Sequence, residues 1–266
     1  MGELYLRLGF TETCLLFYYQ LKDDTPIKSS KSELINWLYS TSGFYDKTIE
    51  GDYFNFDTKK CLESDVYNKY MTTLLDIIKD CHLILNFHNF NQAVSVLKRG
   101  FEDTLKTITK SYDNSNAIHG HLTLLNNKRV LIINPMASLA KEQHENGNFN
   151  KMNPNIKIQD VQIIENPYTF FNNGPRNNIF ETADDICKEI STKDFDIAIV
   201  SCGAISGLLG DYIRKMGKDA IVIGRGFHKM FGIKTKNTIS DNEYLISIPE
   251  HLKPKDYMNI ENGCYW

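Results

Sequence analysis

Three stretches set charged or acid–base side chains beside turns made of small residues. In the first, Arg7 and Glu12 lie on either side of Gly9. A carboxylate there can hold a metal ion, take a proton from a substrate hydroxyl, or face a helix N-terminus, where it stabilises by up to about 1 kcal/mol. On the residues alone, the helix-end role is the simplest. In the second, Gly203 and Ala204 follow the apolar run Ile197-Ala198-Ile199-Val200. Small residues let backbone N–H groups approach a ligand. A helix starting near Ile205 would also turn its positive end toward an anion such as phosphate. In the third, Gly224-Arg225-Gly226 follows Ala220-Ile221-Val222-Ile223, with His228 just beyond. An arginine fork suits a diphosphate because it binds two oxygens at once. Glu261, ahead of Tyr265 and Trp266, is a reserve base if those aromatics dock onto the fold. Each feature also has a plain structural reading: a tight turn, an exposed turn arginine, a packing tail.

Other chemistries find less support. The serine of Gly203-Ala204-Ile205-Ser206-Gly207 falls within the expected helix start, not on a strand-to-helix elbow. His119-Gly120-His121 is a close histidine pair, more simply polar surface than a metal site. Six cysteines without a C-x-x-C pair argue against zinc and for reduced thiols inside a cell. The chain has no G-x-G-x-x-G, which counts against an oxidoreductase using a dinucleotide. A net charge of -3 gives no nucleic-acid footprint. No apolar stretch is long enough for a transmembrane segment, and MGELYLRLGF lacks the pattern of a signal peptide. These features predict a cytoplasmic protein without a nucleic-acid partner.

The elements that must position these residues follow a regular pattern. Leu4-Tyr5-Leu6 reads as a strand, and Thr11 as the N-cap of a helix through Gln20. Ser32 to Tyr39 reads as a helix, broken by Thr41-Ser42-Gly43. Glu63 to Lys79 reads as one amphipathic helix, with Val66, Tyr70, Leu74, Leu75 and Ile78 on one face. Cys81 to Phe87 is a strand candidate, and Asn91 to Arg99 and Phe101 to Thr109 are short helices. Arg129 to Ile133 is a strand meeting Asn134-Pro135, with Ser138 as cap of the next helix. Glu145 to Pro154 reads as polar loop. Val161 to Ile164 is a strand followed by Asn166-Pro167, and Ile179 to Ile190 is a helix. The strand at Ile197, a helix from Ile205 to Met216 stopped by Gly217, and the strand at Ala220 form a right-handed βαβ unit. Tyr244 to Ile248 is a last short strand. The alternation predicts an α/β fold with a mainly parallel sheet flanked by helices, and ligands at the carboxyl ends of its strands. Residues 1–266 read as a single domain, with 1–120 and 121–266 as its candidate subdivisions and Ser111 to Asn127 as the weakest join.

Six stretches recur in an order that is informative: RLGFTE at Arg7, SGFY at Ser42, KRVLIINPMASLAKEQ at Lys128, DFDIAIVSCGAISGLLGDYI at Asp194, GKDAIVIGRGFHKMFGI at Gly217 and IENGCYW at Ile260. Together they span nearly the whole chain and resemble a family of glycosyltransferases related to the GT-D fold, found in bacterial polysaccharide loci and in some large DNA viruses. The resemblance is more specific to the family than to an activity. It implies a Rossmann-like α/β fold that binds a nucleotide-sugar and transfers the sugar. In GT-D enzymes the arginine-glycine motif is followed by Asp-x-Glu, whose carboxylates engage the metal and the diphosphate. Glu12 matches the Glu, and Phe10 stands where the Asp would be. Arg225 stands where the family prefers Gly, and His228 where it has Gln. Lys234-Thr235-Lys236-Asn237 replaces an arginine–tryptophan pair.

The expected function is transfer of a sugar from a nucleotide-diphosphate-sugar donor, of UDP or GDP type, to a glycan acceptor. The charge of the leaving diphosphate falls to the Gly203-Ala204 turn, Arg225 and a divalent cation, Mn or Mg. Arg7, Gly9, Gly224 and His228 complete the donor site. Glu12 is the metal ligand or the base, with Glu261 in reserve. The alternative is a non-catalytic nucleotide-sugar-binding or scaffolding protein that kept the fold and lost the carboxylate pair, as Phe10 suggests.

Overall fold

Short runs of Ile, Leu and Val form the strands, and helices cover them on both sides, as buried parallel strands require. The computed structural model describes residues 1–21, 31–49, 57–85, 110–113, 121–224, 226–236, 238 and 243–266. The first part holds β1 (Leu4–Leu8), α1 (Phe10–Leu21), α2 (Lys31–Ser40), α3 (Thr58–Glu63), α4 (Asp65–Lys79), β2 (His82–Leu85) and β3 (Ser111–Asp113). Next come β4 (Arg129–Ile133), α5 (Ala137–Glu145), α6 (Asn148–Met152), β5 (Asp160–Ile164) and α7 (Ile179–Ile190). The last part holds β6 (Ile197–Val200), α8 (Ser206–Lys215), β7 (Asp219–Val222), α9 (Gly226–Phe231), β8 (Ile233–Lys234) and β9 (Ile246–Ser247). One sheet of seven strands runs in the order β3-β2-β1-β7-β6-β4-β5. Every neighbouring pair in it is parallel. β8 and β9 make a separate parallel pair. The expected Rossmann-like α/β architecture is the one observed.

Alternate side chains of each strand enter opposite faces. Leu4, Leu6 and Leu8 meet Leu131, Ala198, Val200 and Ala220 in one core, together with residues of α1, α2, α4, α7 and α8. Val130, Ile132, Ile197, Ile199 and Ile221 enter the other core, with residues of α5, α6 and α9 and with Trp266. So α1 leaves β1 on one face, while α9 leaves the neighbouring strand β7 on the other. The helices after β6 and β4, α8 and α5, diverge in the same way. Such switch points open the crevices in which open α/β sheets bind ligands.

Several boundaries differ from expectation. The Gly9 carbonyl opens α1, accepting from the Thr13 N–H at 3.1 Å and the Thr13 hydroxyl at 2.7 Å. Thr11 therefore lies inside the first turn and is not the cap. The helix expected over Glu63 to Lys79 starts two residues later, at Asp65, because Ser64 caps α4 by accepting from the Val66 and Tyr67 N–H groups at 3.1 and 3.3 Å. Ser138 lies in the first turn of α5, whose N-cap residue is Met136. The expected polar loop at Glu145 to Pro154 contains α6, which Gly147 starts with a φ of 73° and Phe149 anchors by full burial. The short helices expected at 91–99 and 101–109, and His119, lie outside the described residues.

The segment after α2 is fastened on several sides. Phe44 and Tyr45 are fully buried, and the Tyr45 hydroxyl shares a 2.5 Å hydrogen bond with the Thr182 hydroxyl. The Thr169 hydroxyl donates to the Gly43 carbonyl at 2.6 Å. Buried Asp46 accepts from the Thr48 N–H at 3.0 Å, the Thr48 hydroxyl at 2.7 Å and the Ser64 hydroxyl at 2.5 Å. These bonds fix Ser42 over the carboxyl end of β6.

Candidate functional site

The carboxyl ends of β1, β4, β5, β6 and β7 open into one cavity of about 790 Å³. β1 and the turn after it bring Arg7, Gly9 and Glu12, while β7 and α9 bring Gly224 and His228. β4 is followed directly by Asn134-Pro135 and β5, after Glu165, by Asn166-Pro167, which bring Asn134 and Asn166. Gly203 follows β6, Ser42 follows α2, and Tyr168, Phe170, Glu261, Tyr265 and Trp266 close the far side.

Gly9 and Glu12 work as a unit. The Glu12 carboxylate folds back over Gly9, where a Cβ would lie 2.2 Å from Oε2. A side chain at position 9 would push the Glu12 carboxylate out of this position. Glu12 is 7% exposed, and it accepts from its own backbone N–H and from the Ser42 hydroxyl. Burial pushes its carboxyl above the ordinary range, against the smaller lowering by those bonds and by the Arg7 charge. A carboxyl raised this way holds a proton more firmly than an ordinary one, which suits a proton acceptor. The Arg7 guanidinium lies on the Gly224 backbone, where a Cβ would lie 2.2 Å from Nη1. β1 and β7 are neighbours in the sheet, so the cation and the carboxylate meet at one switch point.

The Gly203-Ala204 turn, expected to face a phosphate, is in part engaged by the protein itself. Gly203 lines the cavity with a φ of 66°, but its missing side chain makes room for protein: a Cβ would lie 2.3 Å from the Ser42 carbonyl oxygen. The Ala204 N–H donates to that oxygen at 2.5 Å, and the Cys202 N–H to the Ser206 hydroxyl at 2.7 Å. These two amides are therefore committed to Ser42 and Ser206, not to a phosphate. Ala204 is buried, and its carbonyl accepts from the Tyr70 hydroxyl at 2.9 Å. His228 lines the cavity, and burial lowers its imidazole to about 4. At neutral pH it offers a hydrogen bond, not a positive charge. Arg225 lies outside the described residues.

The final aromatics dock, as the sequence suggested. The Trp266 indole N–H donates to the Tyr168 hydroxyl at 3.2 Å, and that hydroxyl donates to the Leu252 carbonyl at 3.0 Å. Docking holds Glu261 at the cavity rim in a left-handed run, with φ of 45° at Glu261, 55° at Asn262 and 70° at Gly263. Such backbone in a non-glycine residue costs about 1–3 kcal/mol.

Sequence reasoning did not single out Ser42, Asn134, Asn166, Tyr168 or Phe170 as site residues. The repeated Asn-Pro after β4 and β5 was the available signal. Asn134 ties strand ends together: its Nδ2 donates to the Ser201 carbonyl at 2.6 Å, and its Oδ1 accepts from the Met136 N–H at 2.8 Å. In Asn166, Nδ2 donates to the Pro167 carbonyl at 3.1 Å, while the buried Oδ1 has no hydrogen-bond partner.

The divalent cation implied by the resemblance does not fit this donor set. Among the described residues no three His, Cys, Asp or Glu side chains come together, and position 10 supplies no carboxylate. No helix among the described residues is long and apolar enough to cross a membrane. No family model, no curated protein and no solved structure matches the chain.

Proposed function

We propose that the protein transfers a sugar from a nucleotide-diphosphate-sugar donor to a hydroxyl of a glycan acceptor. The observation that supports this reading best is the meeting of Arg7 and Glu12, each packed over a glycine, inside a cavity at the β1/β7 switch point. In the transfer, the bond between the anomeric carbon and the diphosphate oxygen breaks. A bond from that carbon to the acceptor oxygen forms, and the acceptor proton passes to a base. Arg7 neutralises charge on the departing diphosphate, as a preorganised cation in a water-poor site does effectively. Glu12 receives the proton, and Glu261 stands at the rim in reserve. The second reading, a protein that binds the nucleotide-sugar without turning it over, is favoured by the engagement of the Glu12 carboxylate with Ser42 and its own amide.

The test begins with unfolding temperature. A nucleoside diphosphate that binds the folded state alone raises it by mass action. UDP, GDP, ADP, CDP and dTDP are each added at millimolar concentration. Sugar donors of the stabilising nucleotides are then assayed for turnover with glycan acceptors, with and without manganese. Absence of any shift overturns the donor site. A shift without turnover moves the protein to the binding reading.

A further inference from the structure

Nothing in the packing of α1 uses the Thr11 hydroxyl. Thr11 lies in the first turn and does not cap the helix, which the Gly9 carbonyl opens. The Thr13 hydroxyl, one turn position on, is tied to that carbonyl at 2.7 Å. The Thr11 hydroxyl makes no hydrogen bond among the described residues. Thr11 is 7% exposed, and it lines the cavity with Gly9 and Glu12. Its oxygen is not among the unpartnered side-chain atoms shut off from solvent. Buried hydroxyls are normally paired. Here the pairing atom has to come from the cavity.

The same turn offers a second donor. The first N–H groups of a helix have no partner within it. In α1, a helix of 12 residues, the Thr13 N–H goes to Gly9 and the Glu12 N–H to the Glu12 carboxylate. The Thr11 N–H remains, at the positive end of the helix. Arg7 brings a full positive charge to the same cavity. Two titratable groups face it, and neither opposes an anion strongly. Burial disfavours the charge on Glu12, whose carboxylate is turned back over Gly9, and it keeps His228 neutral at neutral pH. A hydroxyl and an amide donor beside a guanidinium suit phosphoryl oxygens. A sugar hydroxyl gains nothing from the helix end or from the charge. These donors also take the place of a divalent cation, for which this turn supplies one carboxylate, Glu12, and a Phe at position 10.

We infer that the Thr11 hydroxyl and the start of α1 bind a phosphoryl group of the donor diphosphate, together with Arg7 and without a divalent cation. This rests on the donor reading above and adds how the charge of the diphosphate is held.

Calorimetry on the full chain tests it, with UDP, GDP, ADP, CDP, dTDP and inorganic pyrophosphate as probes, each in EDTA and in manganese. The wild type is expected to bind its preferred nucleoside diphosphate with affinities that agree within about twofold in the two buffers. Thr11→Val removes the hydroxyl and keeps the branched shape. It should weaken that nucleotide and pyrophosphate alike, by about tenfold, the worth of a hydrogen bond to a charged group. Thr11→Ser, which keeps the hydroxyl, should stay within about threefold of wild type. The melting temperature of Thr11→Val should not fall, because no protein partner is lost, and Thr11→Ala replaces it if it does not fold. Wild-type affinity in Thr11→Val overturns the subsite and leaves the donor site standing. Weaker nucleotide binding with pyrophosphate unaffected overturns the assignment to a phosphoryl group. Binding lost in EDTA and restored by manganese overturns the cation-free site. A wild type that binds no probe in either buffer overturns both this inference and the donor reading.

Discussion

Burial moves Glu12 and His228 in opposite directions, and both end less charged than they would be in water. For Glu12 the folded state holds its proton more firmly than the unfolded chain does. Its contribution to stability is therefore complete below the ordinary value of 4.5 and is lost as pH rises above it. Glu12→Gln cannot ionise. Its stability relative to wild type, measured by urea unfolding, should improve as pH rises above 4.5. Turnover should move the other way, falling about a hundredfold if Glu12 is the base, with nucleoside diphosphate affinity nearly unchanged. Unaltered turnover would transfer the role to Glu261. His228 has the reverse sign. Its contribution is complete above 6.5 and is lost as pH falls toward its folded value of about 4. His228→Gln should flatten that part of the acid limb, and a variant with the same limb as wild type would place the acid loss elsewhere.

Two glycines with similar backbones have different reasons to be glycine. Gly203 and Gly147 have φ of 66° and 73°. A Cβ on Gly203 would strike the Ser42 carbonyl at 2.3 Å, whereas one on Gly147 meets nothing within 4 Å. Alanine strains both backbones alike, by about 1–2 kcal/mol, so the difference between the variants measures the collision. Gly147→Ala should lower the melting temperature by a few degrees, and Gly203→Ala by at least twice as much. Equal shifts would mean that the Ser42 segment yields freely. The sequence shows that a turn follows β6; it does not show what the turn makes room for, because the partner lies far away in the chain. The same limit hid Ser42, whose role comes from Gly203 and Ala204, far away in the chain. Strands β4, β6 and β7 were legible because burial on both faces demands unbroken apolar runs. α6 was not, because its polar residues outnumber the one aromatic, Phe149, that decides its burial.

At the scale of the whole molecule, the cavity wall depends on residues from both ends of the described chain. Trp266 belongs to the core beneath α5 and α9 and also faces the cavity. Trp266→Ala should cost about 3–5 kcal/mol in equilibrium unfolding. A loss below about 1 kcal/mol would show that the core closes without the indole. The sheet order has a consequence for biosynthesis. β1 is flanked by β2 and β7, and the Glu3 N–H donates to Asp219 Oδ1 across 216 residues. At 5–20 residues per second, β1 leaves the ribosome about 10 to 40 s before β7 follows it. Throughout that interval one side of the strand is an open edge, able to pair with other nascent chains. Arg7 also waits, because Gly224, the backbone it rests on, is made later still. The charged end of the cavity is therefore among the last features the polypeptide completes. Its refolding should be slow for its size, as pairings between distant segments make it.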